Sequence, residues 1–100
     1  YADIDNYGWY GPAMDTHRSA FGGRNFEYYS EDGVLGGYIG AAEINGAATK
    51  GVYAYLKHFA LNDQEINTRE MLCTWTREQA MREIYLKPFL EKEGVSDLEK

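Results

Sequence analysis

The stretch Gly51–Phe59, GVYAYLKHF, is a short apolar run that ends in a cation beside an imidazole. Val52–Phe59 is nearly all apolar or aromatic, which suits a strand buried on both faces, as in parallel sheets. Lys57 and His58 at its carboxyl end are poor core material. They are a sensible way to present hydrogen-bonding groups to a polar ligand such as a sugar. Lysine offers three donors and a fixed charge, and neutral histidine offers one donor and one acceptor. The bland alternative is a strand-end lysine reaching solvent beside a histidine satisfied by backbone. Adjacent residues in a regular strand point to opposite faces, so both serve one site only if the strand has ended or is distorted there.

A second strand-then-polar-loop unit precedes it. Tyr7–Met14, YGWYGPAM, reads as a strand, with Pro12 suited only to its end because proline cannot donate to a ladder. Asp15–Asp32 is a long polar loop with Gly22-Gly23 in its middle, and long loops in compact domains are more often functional than not. Ser30, followed by Glu31 and Asp32, resembles a helix start. Val34–Ala48 then places Val34, Leu35, Tyr38, Ile39, Ala41, Ala42 and Ile44 close to a helical period. Its many Gly and Ala residues make a thin face that suits close packing on a sheet. After the strand at Val52–Phe59, residues Ala60–Thr74 form a second polar loop. Thr76, or less favourably Thr74, caps a last helix whose apolar face is Ala80, Met81, Ile84, Tyr85 and Leu86. Pro88 bends or ends it near Lys87. Leu90–Lys100 is a charged tail.

The order strand, helix, strand, helix implies an α/β fold with parallel strands joined by right-handed crossovers. Two strands in 100 residues bury no full core. The strands are therefore expected to need partners, either the remainder of a barrel or a second copy of the chain.

Composition narrows the function classes. Apolar content of 44% and aromatic content of 15% fit a packed globular protein. The net charge of −6 argues against nucleic acid or an anionic membrane surface as partner. No apolar run is long enough for a membrane span. No signal peptide is visible, which leans towards the cytoplasm, and the absent initiator Met suggests a fragment or a processed chain. The single Cys73 is expected to be an inert, buried or half-buried thiol.

Asp15, His17, Arg18, Arg24 and Glu27 crowd the first loop. Arg24 follows two glycines, so the backbone is free to turn sharply and hold the guanidinium inward, with Glu27 in reach as a partner. A surface salt bridge of little value is the competing reading. Asn62, Asp63, Gln64, Glu65, Asn67 and Arg69 fill the second loop. No metal is expected, because the His and acidic residues lack ligand spacing. No cofactor is expected either, since there is no dinucleotide or Walker pattern. Nothing resembles a nucleophile elbow.

Taken together, GPAMDTHR, GGRNFEYYSED, GVYAYLKHFALNDQE and REIYLKPF resemble the amino-terminal catalytic domain of family 3 glycoside hydrolases, chiefly the β-glucosidases. The match runs from Trp9 to Phe89 with the family's spacing. It implies a (β/α)8-type barrel, of which residues 1–100 would be a β-α-β-α slice, and a retaining mechanism on β-linked glucosides. Arg24, Lys57 and His58 would then bind sugar hydroxyls of the −1 subsite, with Asp15 supporting them. The resemblance also implies non-proline cis peptides around Lys57-His58-Phe59, which would let both side chains serve one site. The family's Arg in E-T-N-R also reaches the sugar, and Arg69 stands one position late for it. The family's nucleophile lies in an S-D-W-type motif. Ser96-Asp97-Leu98 is not that motif, because the barrel strand that should precede it is absent. Neither the nucleophile nor the acid/base is assigned to this chain, which alone is expected to be inactive. The alternative is a non-catalytic carbohydrate-binding or self-associating module.

Overall fold

The computed structural model describes residues 4–65 and 69–90. The tail beyond Leu90, with Ser96-Asp97-Leu98, and the middle of the Glu65–Arg69 stretch lie outside the described residues.

Two parallel strands form the sheet, β1 (Gly8–Trp9) and β2 (Tyr53–Ala54), with Gly8 opposite Tyr53 and Trp9 opposite Ala54. Tyr53 N donates to Tyr7 O at 2.7 Å, and Tyr55 N to Trp9 O at 2.9 Å. The expected strands are longer than the regular pairing. The ladder lapses and resumes at an isolated parallel bridge between Ala13 and Lys57, where Lys57 N donates to Pro12 O at 3.0 Å. Gly11 N turns back to donate to Trp9 O at 3.0 Å instead of crossing to the β2 segment, which interrupts the ladder. The extended segments still travel side by side, so their carboxyl ends emerge together.

Helix α1 (Gly33–Ala48) crosses between them. Its N-cap is Asp32 rather than the expected Ser30. The Asp32 carboxyl accepts from Val34 N at 2.8 Å and Leu35 N at 3.3 Å, while Ser30 Oγ accepts from Asp32 N at 2.9 Å. Asp32 both caps the free N–H groups and places its charge on the helix dipole. Gly51, at φ +71°, turns the chain from the helix into β2.

The expected large apolar face of α1 is not the face that packs. Gly36, Gly37 and Gly40 are buried, whereas Leu35 and Tyr38 are 51% and 64% exposed. A Cβ at Gly40 would stand 2.5 Å from Met14 Sδ. The glycine face brings the helix axis down onto Pro12 and Met14, which fits the thin face read from the sequence.

The core comprises Ala13, Met14, Tyr28, Val52 and Phe89, with Pro12 and Thr16 also buried. Burial of β2 on both faces is overturned: Val52 is buried, but Tyr53 and Tyr55 are 71% and 54% exposed. Alternate residues of a strand point to opposite sides, and α1 covers only one of them.

The last helical region begins after Arg77, with no side-chain cap; Thr76 Oγ1 instead donates to Arg77 O at 3.3 Å. Helix α2 (Glu78–Ala80) continues as a π-turn over Met81–Tyr85, and α3 spans Lys87–Leu90. Pro88 sits in the first turn of α3, where its missing N–H leaves nothing unpaired. Helix α3 packs on α1, with Lys87 Cβ 3.0 Å from where a Cβ at Gly33 would lie. Cys73 is exposed, not half-buried, because it lies on the outer loop before α2. Among the described residues no helix is long and apolar enough to cross a membrane.

Candidate functional site

Both extended segments end in polar loops on the same side of the molecule, and Asp15 ties the loops together. It is 5% exposed and directly follows the β1 segment. Its carboxyl oxygens accept from His58 N at 2.8 Å and Asn62 N at 2.9 Å. Asp15 therefore turns inward and fixes the backbone of the Lys-His stretch, which is a supporting position. The Lys57-His58 and Phe59-Ala60 peptides are both cis, as the family resemblance implied for this stretch.

His58 is held from behind. Its Nδ1 lies 3.3 Å from Tyr28 Oη and 3.5 Å from Asp15 Oδ2. Tyr28 is buried, and its hydroxyl donates to Asn62 O at 3.0 Å. Burial lowers the His58 pKa below its ordinary 6.5, and the Arg24 and Lys57 charges push it further down. The ring is neutral near pH 7.

The first loop is shaped by His17, whose Nε2 lies 2.9 Å from both Asn25 O and Tyr28 O. Two carbonyls only accept, so this nitrogen carries the hydrogen. A Cβ at Gly22 would stand 2.8 Å from Asn25 Oδ1 and 3.0 Å from Asp63 O, so the two loops meet closely there. Arg24 opens a 3-10 turn over Asn25–Glu27 and points into the gap between the loops. Its Nε donates to Glu27 Oε1, and its Nη1 to Glu65 Oε1 at 2.7 Å. The other Glu27 oxygen, Oε2, lies 3.1 Å from Lys57 Nζ. Glu27 thus joins Arg24 of the first loop to Lys57 of the second.

These side chains are only partly shielded, with exposures of 21% for Arg24, 30% for Lys57 and 22% for His58. The Glu27 hydrogen bond drives the Arg24 pKa upward. Burial alone would raise Glu27, but the hydrogen bonds from Arg24 and Lys57 outweigh it and hold the carboxyl below its ordinary value. Glu65 is lowered by its hydrogen bonds from Arg24 and Asn62. Each acid grips one edge of a cation. Among the described residues, Arg24 Nη2 makes no hydrogen bond, and Lys57 Nζ keeps donors beyond its one partner. The arrangement leaves fixed hydrogen-bond donors facing outward between the two loops.

Of the residues singled out in the sequence, Arg24, Lys57 and His58 come together, with Asp15 beneath them. Arg69 stands at the edge, 76% exposed and 3.6 Å from Glu65. Sequence reasoning gave Tyr28 no role of its own and took Asn62 and Glu65 as mostly solvated loop residues, a minority of which could bond the loop to itself, as Asn62 Nδ2 does to Glu65 Oε1 at 2.8 Å. Their roles depend on contacts between loops far apart in the chain, which no local spacing encodes. Among the described residues no group of three or more His, Cys, Asp or Glu is placed to hold a metal ion.

No protein-family profile matches the chain. Individual proteins do. A β-glucosidase of Ruminococcus albus is 49% identical over 79 residues, which is 79% of this chain and 8% of that protein. β-Glucosidase 3B of Thermotoga neapolitana, solved in complex with α-D-glucose, superposes with a TM-score of 0.81 at 44% identity, over 88% of this chain and 13% of that one. The Bifidobacterium adolescentis GH3 β-glucosidase superposes with a TM-score of 0.85 at 35% identity, over 97% of this chain and 14% of that one. The chain therefore spans about a tenth of the length of the relatives it matches. Sequence and backbone agree on the same segment: the chain belongs to the family 3 glycoside hydrolases.

Proposed function

We propose that the chain is a slice of a (β/α)8-type barrel within a longer, retaining β-glucosidase-like hydrolase. In it, Arg24, Lys57 and His58 hold the hydroxyls of one glucosyl unit in the −1 subsite, and Asp15 positions them. The observation that carries this reading is the sharing of Glu27 by Arg24 and Lys57, with His58 locked beside them by Tyr28 and Asp15. Barrel enzymes place their sites on loops at the carboxyl ends of strands, and both loops here have that position. Preformed polar groups need no reorganisation when the sugar ring distorts towards its oxocarbenium-like state.

Retaining hydrolysis needs a nucleophile and an acid/base roughly 5–5.5 Å apart. Three carboxyls at this rim are held by other groups: Asp15 by two backbone N–H groups, and Glu27 and Glu65 by Arg24, Lys57 and Asn62, while burial pushes the pKa of the neighbouring Asp63 up. As the family resemblance implies, the catalytic pair would come from the rest of the longer protein, and Arg69, 76% exposed, plays at most a peripheral part.

The test is kinetic. In the longer polypeptide that carries this segment, Arg24→Ala and Lys57→Ala each remove a charge-assisted hydrogen bond worth about 1.5–3 kcal/mol. Each is expected to lower kcat/KM on an aryl β-glucoside by roughly 10- to 100-fold, at about tenfold per 1.4 kcal/mol. Unchanged kcat/KM in both variants would overturn the reading. The 100-residue chain alone is expected to show no turnover.

A further inference from the structure

The polarity of His58 is legible from its surroundings. Its Nδ1 faces two oxygens, Tyr28 Oη at 3.3 Å and Asp15 Oδ2 at 3.5 Å. Tyr28 has one hydroxyl proton, and its contact with Asn62 O at 3.0 Å requires that proton, because a carbonyl only accepts. Tyr28 Oη therefore meets Nδ1 with a lone pair. The Asp15 oxygen is an acceptor as well. A bare Nδ1 lone pair in this position would face two others, so the hydrogen of the neutral ring belongs on Nδ1.

We propose that Tyr28 is a positioning residue that fixes His58 in the Nδ1–H tautomer, so that Nε2 faces the site as a hydrogen-bond acceptor. The rim then has two polarities. Arg24 and Lys57 donate, and His58 accepts. A hydroxyl group can satisfy both at once, giving its proton to Nε2 while its oxygen receives from a cation. A ligand atom that only accepts, such as a ketone or ether oxygen, meets an unfavourable lone pair at His58. This part rests on the sugar-binding reading above; the tautomer does not.

Long-range 1H–15N NMR of histidine-labelled protein reads the tautomer directly. The chain holds only two histidines, which makes assignment simple. His17 is expected as Nε2–H and His58 as Nδ1–H. The measurement is made on the chain itself and on the longer polypeptide, with His17→Gln and His58→Gln assigning the signals. Tyr28→Phe removes one acceptor from Nδ1 and should shift His58 towards Nε2–H, a change that loss of packing alone does not produce. An Nε2–H signal for His58 in the folded wild type, or no shift in Tyr28→Phe, would overturn the proposal.

Competition assays on the longer polypeptide with monodeoxy and monodeoxy-fluoro glucoses read the consequence. Fluorine accepts weakly but never donates. At the hydroxyl that faces His58, fluorine should bind no better than hydrogen, within about twofold. Where only Arg24 or Lys57 is contacted, fluorine should recover several-fold over hydrogen. Recovery at every position contradicts the acceptor role. Deoxy analogues that bind as well as glucose throughout, with the His58 tautomer as stated, would instead sink the sugar-binding reading alone.

Discussion

Asp15 decides the geometry of the rim from beneath it. Two backbone N–H groups depend on its carboxyl, one at His58 and one at Asn62. Asp15→Asn keeps the size but turns an N–H group against one of those donors. Leaving a buried donor unpaired costs about 1–3 kcal/mol, which a urea titration would register as a lower midpoint with unchanged slope. An unshifted midpoint would show that the loops do not lean on Asp15. His58 adds a pH dependence. Its folded pKa lies below 6.5, chiefly through burial and then through the Arg24 and Lys57 charges. As pH falls through 6.5 the unfolded chain takes up the proton first, so stability present above that pH is lost below it. Glu27 and Glu65, both depressed below 4.5, add a further loss at lower pH as they protonate. His58→Gln should flatten the loss between pH 6.5 and 4.5 and leave the lower limb intact. Denaturation midpoints on either side of pH 6.5 check this, and an identical slope in wild type and variant would contradict it.

At the scale of elements, α1 is held at both ends by particular residues. Asp32→Ala removes the acceptor for Val34 N and Leu35 N, at a cost of about 1 kcal/mol. Gly51→Ala places a side chain at φ +71°, for about 1–2 kcal/mol. Thermal melts of the two variants should both fall, and a rise for Gly51→Ala would show that the turn relaxes elsewhere. Much of this layer was legible beforehand. The Gly51 punctuation, the helix over residues 34–48 and the break ahead of Pro88 follow from local backbone chemistry, which sequence carries directly. The buried face of α1 was harder. Periodicity pointed to Leu35 and Tyr38, but the face that packs is the glycine face, where a Cβ at Gly40 would displace the end of the Met14 side chain. The length of regular pairing in β1 and β2 was also overestimated, because apolar character does not show where a ladder lapses.

For the molecule as a whole, the same pattern separates what was readable. Arg24, Lys57 and His58 could be singled out because they sit in short motifs beside glycine or at a strand end, and the fold brings them together. Tyr28, Asn62 and Glu65 were not, because their meaning arises from contacts such as Arg24 with Glu65 or Tyr28 with Asn62. The outward face of the sheet is unusually apolar, with Tyr10, Tyr53 and Tyr55 all more than half exposed and Tyr10 packed against Tyr55. Exposed patches of this kind mark interaction surfaces or association liabilities. The isolated chain is accordingly expected to self-associate with rising concentration in sedimentation experiments. A single folded monomer across the range would show that the sheet tolerates water as it stands.

The measurement that bears most directly on the account is a crystal structure of the longer polypeptide soaked with glucose. The account predicts one sugar ring whose hydroxyl oxygens lie within hydrogen-bond reach of Arg24 Nη, Lys57 Nζ and His58 Nε2 together. Glucose bound with none of the three in contact would contradict it.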